Sequence, residues 1–286
     1  MLSQRMYLWT SALLVLFLSA CTEPATTSNL TGALKYDEIH YTKTENKNGE
    51  PCSEQERAFC AMIDLSYPDF TIAPNIKLKD KLNSLVHELL LSSEFETLDV
   101  KPENTEQLAF LYLQEFRESH SAADWELTHH INVLTTHPQF ISLESQKAGY
   151  LGGAHGFQKV KLFNFDNNGE AIKLSNLLNL GYAGELNAIA EGLFRKQHQI
   201  PAEKNLEDLG FSFPNGEFQL NENFAITEQG LRFFFNAYEI APYAFGTSDL
   251  LINYNEIQSL IKPDGLLARY QQQHRAQDNN DKHKSD

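Results

Sequence analysis

The sequence predicts an α+β fold: an antiparallel sheet with helices packed mainly on one side. Three observations carry this. From Trp125 the period is two, with Trp125, Leu127, His129, Ile131 and Val133 on one face and Glu126, Thr128, His130 and Asn132 on the other. Ile76, Leu78, Leu82, Leu85, Val86 and Leu89 recur instead at helical spacing. Two-residue and glycine-containing connections between the later strands imply antiparallel pairing.

In chain order, Ala33 to Thr42 and Phe59 to Tyr67 read as strands, and Tyr67-Pro68 ends the second because proline restricts its predecessor. The amphipathic helix starting near Ile76 follows Pro74. A second helix starts at Asn104, an N-cap with Gln107 three residues on, and its apolar face carries Leu108, Leu111, Tyr112 and Phe116. After the strand at Trp125 come strands at Phe140–Ser145, Gly149–Leu151 and Val160–Phe165, then a turn at Asp166-Asn167-Asn168-Gly169 leading to Glu170–Leu174. Leu186, Ile189, Ala190, Leu193 and Phe194 mark a helix whose last turn holds Arg195, Lys196 and His198, as the dipole favours. Strands near Phe218–Thr227, Leu231–Tyr238 and Leu250–Ile252 follow, then a short helix over Glu256–Ile261. From Gln271 to Asp286 the chain is polar and aperiodic and reads as disordered.

The N-terminus supplies an address. Arg5, an apolar run from Leu13 to Leu18 and then Leu18-Ser19-Ala20-Cys21 form a secretory leader whose end resembles a bacterial lipobox. The run is shorter than the about 20 apolar residues a spanning helix needs. The expectation is that residues 1–20 are removed, Cys21 is lipidated, and residues 21–32 form a flexible tether. Thr22, rather than an aspartate, follows Cys21, which in a Gram-negative envelope points to the outer membrane facing the periplasm. Removing 20 residues from 286 leaves 266, and losing Arg5 takes the net charge from −15 to −16. Such an acidic chain has no electrostatic footprint for nucleic acid, and its contact with the membrane should run through the lipid. The charge suits a cationic partner. Cys52 and Cys60, an even pair in an oxidising compartment, read as a disulfide.

Two segments stand out as candidate sites: Tyr150-Leu151-Gly152-Gly153-Ala154-His155-Gly156 and Tyr238-Glu239-Ile240-Ala241-Pro242-Tyr243-Ala244-Phe245-Gly246. In the first, Gly152 and Gly153 allow close backbone approach and would present His155 to a ligand; the alternative is a bulged strand connection with His155 bonded to its own fold. In the second, Tyr243 and Phe245 can stack on sugars or anchor an interface, or else complete the core at a corner. Glu239 pairs with His155 if the segments meet.

Enzyme signatures are thin. His87-Glu88 begins like a zincin helix, but Leu91 occupies the second histidine's place. His129 and His130 point to opposite faces of a strand, and His129 reads as a core histidine. No G-x-S-x-G elbow or diagnostic carboxylate pair is present. No catalytic residue, metal or cofactor is predicted.

Gly152-Gly153-Ala154-His155-Gly156, Asn167-Asn168-Gly169 and the Tyr238–Gly246 segment together resemble the RsiV-like domain, and Tyr67-Pro68-Asp69-Phe70 with the following helix resembles its N-terminal half. The resemblance spans residues 33–270, divisible at 121/122. That domain occurs in the lysozyme-binding extracellular part of an anti-sigma factor and beside the catalytic domain of a peptidoglycan deacetylase. It implies an envelope recognition domain that binds peptidoglycan or another cell-wall component, or a cationic wall-cleaving protein such as lysozyme. The alternatives are a peptidoglycan-modifying hydrolase or deacetylase using His155, and an architectural envelope lipoprotein.

Overall fold

The protein is described from a computed structural model, which covers residues 34–52, 59–92 and 101–282. The leader, Cys21 and the tether lie outside the described residues. The α+β class holds. The main sheet has strands β1 (Lys35–Asn46), β2 (Cys60–Ile72), β3 (Trp125–His137), β4 (Phe140–Tyr150) and β5 (Phe157–Asp166), in the spatial order of the sequence. All neighbours are antiparallel except β2 and β3, which run parallel from Ala61↔Trp125 to Ser66↔His130. The parallel pair follows from the connection between them, which crosses back through two helices; a parallel return requires such a crossover.

Those helices are α1 (Ile76–Leu90) and α2 (Thr105–Glu118). Asn75 caps α1 through Leu78 N at 2.9 Å, and Asn104 caps α2 through Gln107 N at 2.8 Å. Gln107 reaches back to accept from Glu103 N at 2.8 Å. Helix α1 buries Leu78, Leu82, Val86 and Leu89 against Phe70, Ile131, Ile141 and Leu143. Helix α2 buries Leu108, Tyr112, Leu113 and Phe116 against Ala61, Ile63, Leu65, Trp125 and Leu127. Both therefore cover the face of β3 that carries Leu127 and Ile131, as the alternation predicts.

A second, three-stranded antiparallel sheet of β6 (Phe224–Ile226), β7 (Gly230–Phe235) and β8 (Ser248–Asn253) covers part of the opposite face; the sequence predicts these strands but not their separation into a second layer. Its effect shows in β4, where Phe140 through Ser145 are buried without interruption. A strand covered on both faces loses its period-two signature. Between the sheets, Ser142 Oγ donates to Asn164 Oδ1 at 2.8 Å, while Asn164 Nδ2 donates to Phe224 O at 2.8 Å. Arg232 binds both Glu144 and Asp249 at 2.8 Å. The free edge of β5 is closed by side chains: Asn236 accepts from Val160 N at 2.7 Å, and Asn223 accepts from Leu162 N at 2.8 Å. Helices α4 (Tyr182–Gln197) and α5 (Leu266–Lys282) and the four-residue α3 (Leu174–Leu177) enclose a phenylalanine-rich core in which Phe194 meets Phe211 and Phe213 edge-on at 5.0 and 5.7 Å.

Several local expectations are corrected. Strand β2 continues through Pro68, because its pairing with β3 stops at Ser66 and the proline there interrupts no ladder on that side. Glu256–Ile261 is a run of turns ending in a bridge between Ile261 and Leu178, and Glu170–Leu174 contributes one bridge, at Ala171. Helix α5 continues to Lys282 where disorder is expected from Gln271, because Leu267, Tyr270 and Gln271 are buried and anchor its first turns. The expected disulfide joins Cys52 and Cys60, with Cα atoms 6.2 Å apart. Among the described residues no helix is long and apolar enough to cross a membrane.

Candidate functional site

The two sequence segments meet, through residues other than the pair suggested by their charges. Gly152 adopts φ +74°, and a Cβ there would fall 2.2 Å from Ser121 Oγ and 2.8 Å from the Trp125 indole nitrogen, so the chain needs glycine to turn off β4. The turn delivers His155 to the surface. Its Nδ1 lies 2.8 Å from Gly156 O, and because a carbonyl only accepts, Nδ1 is the donor in this contact. The Tyr243 hydroxyl donates to the same carbonyl at 3.0 Å. Sharing one acceptor locks the two rings face to face, with centroids 4.1 Å apart and planes 22° from parallel.

Tyr238 completes the group. Its ring centroid is 5.6 Å from that of Tyr243, and its hydroxyl lies 3.4 Å from Nε2 of His155. It holds φ +66°, a left-handed conformation that costs a non-glycine residue about 1–2 kcal/mol. The neighbouring side chains explain how it is held. Glu239 accepts from Asn236 N at 2.8 Å and from Asn221 Nδ2 at 2.6 Å, while Asn236 is itself tied to β5. Glu239 thus clamps the turn that presents Tyr238, with both oxygens engaged away from His155. Tyr238 is 64% exposed and Tyr243 37%.

The remaining candidates sit beside this group. Gly153 has open space where a Cβ would be, and its carbonyl accepts from Tyr150 Oη at 2.9 Å. Phe245 rests edge-on against Phe211 at 5.2 Å. Of the three rings, Tyr243 lines a shallow concavity of about 450 Å³ on the sheet face, together with Glu126, Thr128, Tyr150 and Gln158. A second concavity of about 370 Å³ lies between β5 and α4, where the Asn187 and Asn221 side chains are already bonded to Leu220 N and Phe234 O.

Sequence reading missed Tyr238, Tyr150 and Glu126 as members of one surface. The available signal was the tyrosine at the end of each segment. Among the described residues no cluster of three or more His, Cys, Asp or Glu is arranged to hold a metal ion. His129 is buried with Nε2 2.8 Å from Ser145 Oγ, and His130 lies on the other face, 3.8 Å from Asp64. Exposed aromatic faces beside hydrogen-bonding groups suit the stacking of sugar rings.

Comparison with known proteins agrees with this architecture. Residues 54–158 match the family described as "Deacetylase PdaC", and residues 175–255 match "Protein of unknown function (DUF3298)". Over 201 residues the chain is 23% identical to the peptidoglycan-N-acetylmuramic acid deacetylase PdaC of Bacillus subtilis (strain 168), covering 69% of this chain and 38% of that protein. The fold resembles a DUF3298 family structure from Bacteroides fragilis NCTC 9343, with TM-score 0.60, 23% identity, and 81% of this chain and 95% of that one covered. It also resembles one from Pseudomonas aeruginosa PAO1, with TM-score 0.55, 20% identity, and coverages of 80% and 95%.

Proposed function

We propose that this chain is an RsiV-like recognition domain of the cell envelope that binds cell-wall glycan on the surface formed by His155, Tyr238 and Tyr243. One observation carries the reading: two stacked rings and a strained third are held outward, where they complete no core. Similarity to a protein named as a peptidoglycan deacetylase supports a wall glycan as the ligand. In this reading the envelope location comes from the leader, with lipid on Cys21 and the outer membrane as the attachment. Palmitate labelling that survives in Cys21→Ser protein would overturn that part.

Binding to purified cell-wall sacculi tests the main claim. The chain should co-sediment with them, and Tyr243→Ala and Tyr238→Ala should each weaken retention about tenfold, as the loss of a central aromatic does. Unchanged retention in both variants would remove the surface from consideration. The net charge of −15 supports a second reading, in which a cationic wall-cleaving protein such as lysozyme docks on the same face. Calorimetry with lysozyme separates the two. Hydrolysis by a His155–Glu239 pair draws no support from the geometry, since Glu239 is engaged by Asn221 and Asn236.

A further inference from the structure

We infer that the glycan taken by this surface carries free amino groups, an inference that rests on the glycan-binding reading above. Glu126 lies directly opposite Tyr150 in the β3–β4 register, so the two side chains rise from one face beside Tyr243. Glu126 makes no ion pair or side-chain hydrogen bond among the described residues. One register step along the same face, Asp64 pairs with Thr128 and accepts from Thr42 Oγ1 at 2.7 Å. Among the described residues, this part of the face carries Met62 opposite Glu126, with Ser66, Thr128, Gln146, Ala148 and Gln158 and no lysine or arginine; its bases are His130, 3.8 Å from Asp64, and His40, opposite Ser66.

A ligand seated against Tyr243 therefore meets an uncompensated carboxylate. An acetamido sugar offers Glu126 only neutral donors, its amide N–H and hydroxyls, and no charge to compensate the carboxylate. An ammonium on the sugar ring would form a charge-assisted hydrogen bond with Glu126 and lie against the tyrosine faces, where cations are attracted. The surface is thus built to prefer a de-N-acetylated glycan to its acetylated parent.

The test titrates the full chain calorimetrically, at pH 5.5 and low salt, with glucosamine tetramers and with N-acetylglucosamine tetramers. The amino form should bind roughly tenfold tighter, as one charge-assisted contact provides. Glu126→Gln should bring its affinity down to that of the acetylated form. Equal affinities in the wild type, or a preference that survives Glu126→Gln, would overturn this inference and leave the glycan reading standing. Failure of both tetramers and of sacculi to bind would remove both. Glu126-dependent binding of polylysine with neither tetramer bound would overturn the inference in favour of a cationic protein.

Discussion

His129 makes the chain acid-sensitive by an amount the structure sets. It is 2% exposed, packed between the sheet and its helices, with Nδ1 lacking a hydrogen-bond partner among the described residues. Burial first, then Lys147, His130 and Lys161, lowers its pKa from 6.5 to about 3. Above pH 6.5 the imidazole is neutral in both states and contributes nothing to the pH dependence. As pH falls through that value the unfolded chain takes up a proton that the folded chain refuses. Stability then drops by about 1.4 kcal/mol per pH unit until the folded site itself titrates near 3. Between pH 7.5 and 5.0 the loss from this one group is about 2 kcal/mol. His129→Gln keeps an amide within reach of Ser145 and removes the titration. Urea unfolding of both proteins at the two pH values isolates the term, because the other histidines are common to both. The wild type should lose about 2 kcal/mol more than the variant. Parallel losses would refute the picture of a neutral, desolvated imidazole.

Other perturbations have equally specific expectations. Gly152→Ala places a methyl against Ser121 at positive φ and should cost about 2 kcal/mol or more in urea unfolding, whereas Gly153→Ala meets nothing within 4 Å and should stay within about 0.5 kcal/mol. Reducing the Cys52–Cys60 bond, which spans a sequence separation of 8, should lower stability by about 2–3 kcal/mol; an unchanged midpoint in reductant would contradict this. Arg232→Met strands Glu144, itself 9% exposed, and should cost about 3–5 kcal/mol. Adding Glu144→Gln should restore part of that stability; no recovery would mean Arg232 acts through packing rather than charge.

What the sequence made legible was local. The alternation through β3 and the helical spacing of α1 are written in residues close in the chain, and Asn104 with Gln107 marks the start of α2 before any packing is known. What it hid depends on distant partners. The continuation of β2 through Pro68 follows from where β3 stops pairing, and the unbroken run of six buried residues in β4, Phe140 to Ser145, follows from a second sheet on the far face. The same distinction runs through the candidate site. Both segments were visible as departures from the pattern around them, and their meeting was a stated condition. Charge suggested Glu239 as the partner of His155, yet the carboxylate is spent on the turn and the neighbouring Tyr238 makes the contact. The positive φ that separates them is imposed by the clamp from Asn221 and Asn236, and neither asparagine is distinctive in sequence.

Glycan binding on this face requires that the His155–Tyr243 stack meets the ligand. Following the imidazole proton resonances during titration with soluble muropeptides reads this directly. A saturable shift of the His155 signals, with the buried His129 signals unmoved, is the result the account predicts. Saturable binding that leaves His155 unshifted, or no binding at millimolar ligand, would contradict it.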